Sequence, residues 1–274
     1  MRQTEQSRPI DPNVKPARGL LHQTRSFEHF ELTRFEPSAD LAEHVEHHWL
    51  ILWDLTGKPA YRQQNLSHPT QHLVINPQER TGIFGMATGA FTYVLENSGR
   101  VLGTKFRPGA FHSFYRKPVS ALTDTAIPIE TVFARSDEDL ASEFAALNDA
   151  AGMAERVEDL LRTSLRPLDA KAKRARQLVE LIERDAALVS VADLAAAAGM
   201  TPRSLQRLFG TYVGVGPKWV IDRYRMIEAV ELLNRGEPVT LADLAARLGY
   251  FDQAHFSRSF QALTGHAPGQ YRDS

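Results

Sequence analysis

The 274-residue chain contains no cysteine. Disulfides, thiol nucleophiles and cysteine-held metals are therefore excluded. It also lacks any apolar run near the ~18 residues that a membrane-spanning helix requires. Neither sign of charge dominates: 32 Lys+Arg and 33 Asp+Glu leave a formal net charge of −1. The chain is no bulk polycation, so binding to nucleic acid would rest on where charges sit, not on their total. Residues 167–274 carry a net +2 and the remainder −3. The first 19 residues, MRQTEQSRPIDPNVKPARG, have no apolar centre and so do not read as a secretory signal. Together with the missing cysteine, this leads us to expect a cytoplasmic protein. No P-loop, dinucleotide fingerprint or G-x-S-x-G elbow is found. We accordingly expect no enzyme activity, no catalytic residues, no cofactor and no metal.

What is present begins with composition: 43% apolar and 24% charged residues. This is the balance of a soluble globular protein, in a chain long enough for two cores. Residues 1–25 are rich in Pro, Arg and Gln without periodicity and read as a flexible arm. Residues 26–166 begin β-rich. HHWLILWDL (47–55) reads as a strand buried on both faces. HLVINP (72–77), FTYVLENSG (91–99) and RVLGTKF (100–106) read as further strands between turn residues. Together they predict a small antiparallel sheet or barrel, and PGAFHSFY (108–115) reads as one helix with Pro in its first turn. From Ser136 the apolar spacing becomes helical, with an αα-hairpin expected around Ala151-Gly152. A further helix spans about 169–184 and carries Lys171, Lys173, Arg174 and Arg176, expected to form a solvated face or touch phosphates.

The last third contains one segment twice. Residues 191–200 read VADLAAAAGM and residues 241–250 read LADLAARLGY, an offset of 50; LQRLFGTYVGVGP (205–217) then matches FSRSFQALTGHAP (256–268) at an offset of 51. Each copy opens with a hydroxyl cap and an Asp three residues on, Ser190/Asp193 and Thr240/Asp243. Each first helix stops at a glycine, Gly199 or Gly249, able to take the left-handed turn into a second helix. Ala195 and Ala245 fall where two helices would cross closely. Leu194, Ala198, Leu205 and Leu208 form one expected inner face, and Leu244, Leu248, Phe256 and Phe260 the other. These are two helix-turn-helix patterns, residues 190–213 and 240–264, joined by a helix over 217–235. The fold expected is α+β: a sheet or barrel with helices, then an all-α domain over 168–274.

The region from about 170 to 273 resembles the DNA-binding domain of AraC/XylS-type transcription regulators. The resemblance is carried by LADLAARLGYFDQAHFSRSFQALTGHAPGQYR and by DRYRMIEAVELL in the connecting helix. The stretch from Gly99 to Asp124, with its Phe106-Arg107-Pro108-Gly109, is similar to a poorly characterised sensor domain fused to such regulators. The resemblance implies double-stranded DNA as partner, with homodimerisation, a small-molecule effector and RNA polymerase as further candidates, and no membrane. Arg203, Ser204, Gln206 and Arg207 occupy the outer face of the second helix in copy one. Gln253, Ala254, His255, Ser257 and Arg258 do so in copy two. Arg can pair with guanine and Gln with adenine, while Ala254 offers a methyl group to thymine.

Three other readings concern the front half. Eight of ten histidines precede residue 113, and His44/His48 and His68/His72 could each share a face. A metal-dependent, cupin-like enzyme is therefore the alternative, although the His-x-His and later Glu of such a site are missing. Trp49, Trp53, Tyr61, Phe84, Phe91, Tyr93, Phe106, Phe111 and Phe114 could line an effector pocket or simply form a core, with Arg107 as an anion or ion-pair partner. Leu140, Phe144, Leu147, Val157 and Leu161 could serve dimerisation or pack on the barrel.

Overall fold

The computed structural model describes Ile10 and residues 17–147, 149–236 and 239–272. Most of the expected arm lies outside the described residues. Its last part is not free: Leu20 and Leu21 are buried, and Leu20 bridges to Asn65. Helix α1 (Gln23–Ser26) follows.

Strands β1 (Glu31–Phe35), β2 (Val45–Asp54), β7 (Ser98–Phe106), β4 (His72–Ile75), β5 (Gly82–Phe84) and β8 (Ala126–Ile127) form one antiparallel sheet in that order. Strands β3 (Tyr61–Leu66) and β6 (Ala90–Leu95) form a separate hairpin. The sheet is open, with β1 and β8 at its edges, so no barrel closes. Both faces of β2 are nevertheless covered. Leu50, with Leu73, Ile75, Leu102 and Phe106, faces α3 (Asp137–Ala146) and α4 (Ala150–Thr163). Trp53 and Val101 face Leu95 of the hairpin. Two glycines of β7 admit the indoles. Trp49 pairs with Gly103 and Trp53 with Gly99, and a Cβ at either glycine would lie 2.0 or 2.2 Å from the ring.

Two expected helices change. The helix at 108–115 shrinks to α2 (His112–Tyr115), because Gly109 sits at φ +80, outside the helical region. The hairpin turn falls before Asp149, whose side chain caps α4 by accepting from the Ala151 and Gly152 amides. Leu140, Phe144, Val157 and Leu161 pack on the sheet within one chain, which removes them as a dimer surface. The nine aromatics do not gather round one pocket. Phe106, Phe111 and Phe114 belong to one core, while Trp53 with Trp49, Tyr61 and Tyr93 belongs to the other.

The helical half comprises α5 (Ala170–Arg184), α6 (Val191–Ala198), α7 (Pro202–Tyr212), α8 (Pro217–Asn234), α9 (Leu241–Arg247), α10 (Gln253–Thr264) and α11 (Pro268–Arg272). Its core also takes in Leu21, Leu66, Met86 and Ala110 from the front half. The two halves share further contacts. Gln71 Nε2 donates to the Val213 carbonyl (3.1 Å) and Thr123 Oγ1 to the Gly214 carbonyl (2.9 Å). Arg223 Nη2 donates to the Thr88 carbonyl (2.6 Å). Lys173 pairs with Glu43 (3.4 Å) and Arg176 donates to the Glu43 carbonyl (3.1 Å), so these two cations face the sheet domain and are not a free phosphate-binding face. Arg174 donates to the Ala198 carbonyl (2.7 Å).

Two stability predictions follow from this packing. Gly214 has φ +109, and a Cβ there would meet Met86 and the Val119 carbonyl at 3.3 Å. Gly214→Ala should therefore cost about 1–3 kcal/mol in urea unfolding, through left-handed strain and crowding. The second concerns Glu158. Burial pushes its carboxyl up, but hydrogen bonds from His48 (3.3 Å) and from the Ser38 amide (2.7 Å) and hydroxyl outweigh this and hold it at about 2. A depressed carboxyl pKa adds stability above the unfolded value of about 4.3 and loses it as pH falls towards about 2. Glu158→Gln should flatten that acid limb in pH-dependent melting, and an unchanged limb would remove Glu158 as its source.

Candidate nucleic-acid interface

Each two-helix unit is built by local chemistry that repeats. Ser190 Oγ accepts from the Asp193 amide (3.1 Å) while Asp193 accepts from the Ser190 amide (2.9 Å), a reciprocal cap. In the second unit Thr240 Oγ1 accepts from the Asp243 amide (3.1 Å) and its hydroxyl donates to the Asp243 carboxylate (2.6 Å). The first helices end at Gly199 and Gly249, both left-handed, at φ +62 and +70. The second helices then start under Thr201, which accepts from the Ser204 amide (3.2 Å), and under Asp252, which accepts from the His255 amide (2.6 Å). The extra residue of the second copy thus lies in the turn, as the change of offset implies.

The crossing alanines are buried, Ala195 at 6% exposure and Ala245 at 1%. Leu194, Leu205, Leu208, Leu244, Leu248, Phe256 and Phe260 form the inner faces as expected, and Ala198 is half-buried at the margin. Helix α8 is more than a rod between two units. Twelve of its eighteen residues are buried, so it is enclosed by both units and the sheet domain. At 1.5 Å per residue it spans about 27 Å.

Arg203, Gln206 and Arg207 are exposed on α7. Ser204 is half-buried and its hydroxyl accepts from Thr201 (3.0 Å), which ties it to the cap. The amide of Gln206 lies against Gly216, the residue before α8, where a Cβ would stand 2.8 Å from Nε2. On α10, Gln253, Ala254, His255 and Arg258 are exposed and Ser257 is half-buried. The His255 ring meets Tyr250 edge-on at 5.2 Å, towards α8. The seam between the halves engages the end of α7 at Tyr212–Gly214 and leaves its first two turns open.

One residue escaped the sequence reading. Phe251, the extra residue of the second turn, is 94% exposed beside the start of α10. The shift in offset marked its position but not its exposure.

The other candidates from sequence are engaged elsewhere. His48 bonds Thr104 (2.8 Å) and Glu158 (3.3 Å), and His44 bonds the Arg166 carbonyl (2.7 Å). His68 bonds the Arg18 carbonyl (3.2 Å), and His72 accepts from the Trp49 indole (3.3 Å). Burial, then Lys105, pulls the His72 imidazole down to about 3 and favours the neutral ring. No group of three or more metal-ligating side chains assembles among the described residues. Arg107 donates to the Ala42 carbonyl (2.7 Å), a structural bond to backbone and not an ion pair.

Comparison with known proteins agrees with this geometry. Residues 194–274 match the family described as Helix-turn-helix domain, and residues 33–128 match a Domain of unknown function (DUF6597). The chain is 32% identical over 117 residues to the transcriptional activator NphR of Rhodococcus sp, covering 42% of this chain and 34% of that protein. It is 36% identical over 83 residues to a putative AraC-like transcription regulator of Streptomyces lividans, covering 30% of this chain and 27% of that protein. The chain thus matches about a third or less of the length of these relatives. Among solved structures, ToxT from Vibrio cholerae O395 is similar over 82% of this chain and 97% of its own, at 12% identity and a TM-score of 0.41. The chain therefore carries a helix-turn-helix domain, similar in sequence to that of AraC-like regulators, behind a sheet-dominated front half.

Ala245→Leu should separate α9 from α10 and cost about 1–3 kcal/mol by overpacking. Thermal unfolding of the full chain would measure this, and a neutral substitution would contradict the close crossing.

Proposed function

We propose that the chain is a sequence-specific transcription regulator that reads two adjacent, dissimilar segments of double-stranded DNA. The observation that carries this is the pair of units: their frames agree and their exposed residues differ. Arg203 and Arg207 stand out on α7, whereas Gln253, Ala254 and Arg258 stand out on α10. Arginine suits the paired acceptors of guanine and Gln253 suits adenine. Gln206, leaning on Gly216, and Ser204, held in its cap, are lesser candidates, and Ser257 and His255 flank the second face. Phe251 adds an exposed apolar group able to meet a thymine methyl or a sugar.

On this basis residues 26–166 form the regulatory half and 168–274 the DNA-binding half. The chain acts in the cytoplasm by binding, not catalysis. Its further partners are a second copy, a small-molecule effector and RNA polymerase. No helix is long and apolar enough to cross a membrane among the described residues.

Binding-site selection with the purified full chain should enrich two unlike boxes about one helical turn apart on one face of the duplex. Failure to enrich any motif would overturn the proposal. Arg207→Ala and Arg258→Ala should each weaken operator binding by about 1–3 kcal/mol and relax one box, a different box for each. Loss of preference in the same box for both would contradict two independent readers.

A further inference from the structure

A cleft of about 450 Å³ lies between the connecting helix and the second reading unit. Sites for small molecules typically measure roughly 300–1,000 Å³. Helix α8 contributes Lys218, Trp219, Arg223 and Arg225, while Tyr250 and Leu263 come from the second unit. Thr88 reaches it from the sheet domain, and His255 from the start of the second reading helix.

The cations outnumber their counter-charge. Asp222 also lines the cleft, but Lys218 already holds it at 2.7 Å and Arg225 Nη1 stands 3.8 Å away. Arg223 is 3% exposed, with its guanidinium 4.6 Å over the Trp219 ring and Nη2 given to the Thr88 carbonyl. Its Nη1 has no hydrogen-bond partner among the described residues, and neither have Nε and Nη2 of Arg225, whose side chain is 10% exposed. Burial pulls the Arg223 guanidinium down to about 10, with the carboxylate of Asp124 acting in the opposite direction. A buried charged donor left unmade is costly, and a guanidinium fork matches the paired oxygens of a carboxylate or a phosphate. Trp219, Tyr250 and Leu263 offer apolar surface beside it.

We infer that this cleft binds a small organic anion, a carboxylate on an aromatic or alicyclic body, held by Arg223 and Arg225 with its body against Trp219, Tyr250 and Leu263. The bound molecule would touch the sheet domain, the connecting helix and the second reading unit together. It would thereby bias how that unit sits on the frame, a consequence that rests on the DNA-reading function, although the binding itself does not.

The test is calorimetric titration of the full chain, without DNA, with 3-phenylpropionate as probe. Its neutral counterpart 3-phenylpropionamide and inorganic phosphate are run alongside. The expected result is saturable binding of one carboxylate per chain with Kd below about 1 mM, the amide and phosphate being at least about tenfold weaker. Arg225→Gln should weaken the carboxylate by about tenfold or more, and Arg225→Lys by less. Leu263→Trp, which fills the cleft without touching a charge, should abolish binding while the chain still melts cooperatively, and it serves if Arg225→Gln fails to fold. Absence of saturable binding up to about 10 mM would overturn the inference. So would equal binding of the amide or of phosphate, or unchanged affinity in a folded Leu263→Trp chain. Because the titration contains no DNA, its outcome is separate from that of site selection.

Discussion

Two backbone carbonyls, those of Val213 and Gly214, pin the sheet domain to the start of the connecting helix. They lie in the turn between α7 and the connecting helix α8, where helical bonding has stopped and acceptors are left over. Gln71 and Thr123 of the sheet domain fill them. Gly214 permits the close approach, since its positive φ and missing side chain leave room for Met86 and Val119. Because α8 begins three residues later, whatever fixes this turn fixes the helix that carries both units. Arg223 repeats the attachment two turns along, at Thr88.

A second attachment comes from the segment after residue 17. The Gly19 amide donates to Glu231 (3.2 Å), and Asn234 donates to the Leu20 carbonyl (3.1 Å). The His22 amide donates to the Tyr271 hydroxyl (2.8 Å). The far end of α8 and the last helix are thus bound by a stretch that looks unstructured in composition. Its own residues carry no periodicity; its order is supplied by partners distant in the chain, from strand β3 and His68 to α8 and Tyr271.

That contrast marks what the sequence discloses. Caps and stops are local, so Ser190, Thr240, Gly199 and Gly249 were legible, as were the small crossing residues and the doubled frame. The two-sided burial of β2 was legible because apolar residues run without alternation. Strands β1, β3, β5 and β8 were not, since YRQQNL or a two-residue edge owes its conformation to a partner strand and not to its own residues. Lys173 and Arg176 looked like a phosphate-binding face because their partner, Glu43, is distant in the chain. The aromatic residues looked like one pocket because sequence does not say which face of a sheet each one takes. Gln206 and His255 were correctly placed on their helices, but the sideways lean of each depends on α8.

Helix α8 is enclosed on nearly all sides. Inserting one residue would turn everything beyond it by about 100° and advance it by about 1.5 Å. Its one solvent-facing stripe, Lys218, Asp222, Arg225 and Glu228, is narrow, so a turn of that size would pull apolar residues out of the core. The angular phase between the two units is therefore set by packing. On the proposed function, a different separation of boxes would have to be met by the duplex, through its twist and bend.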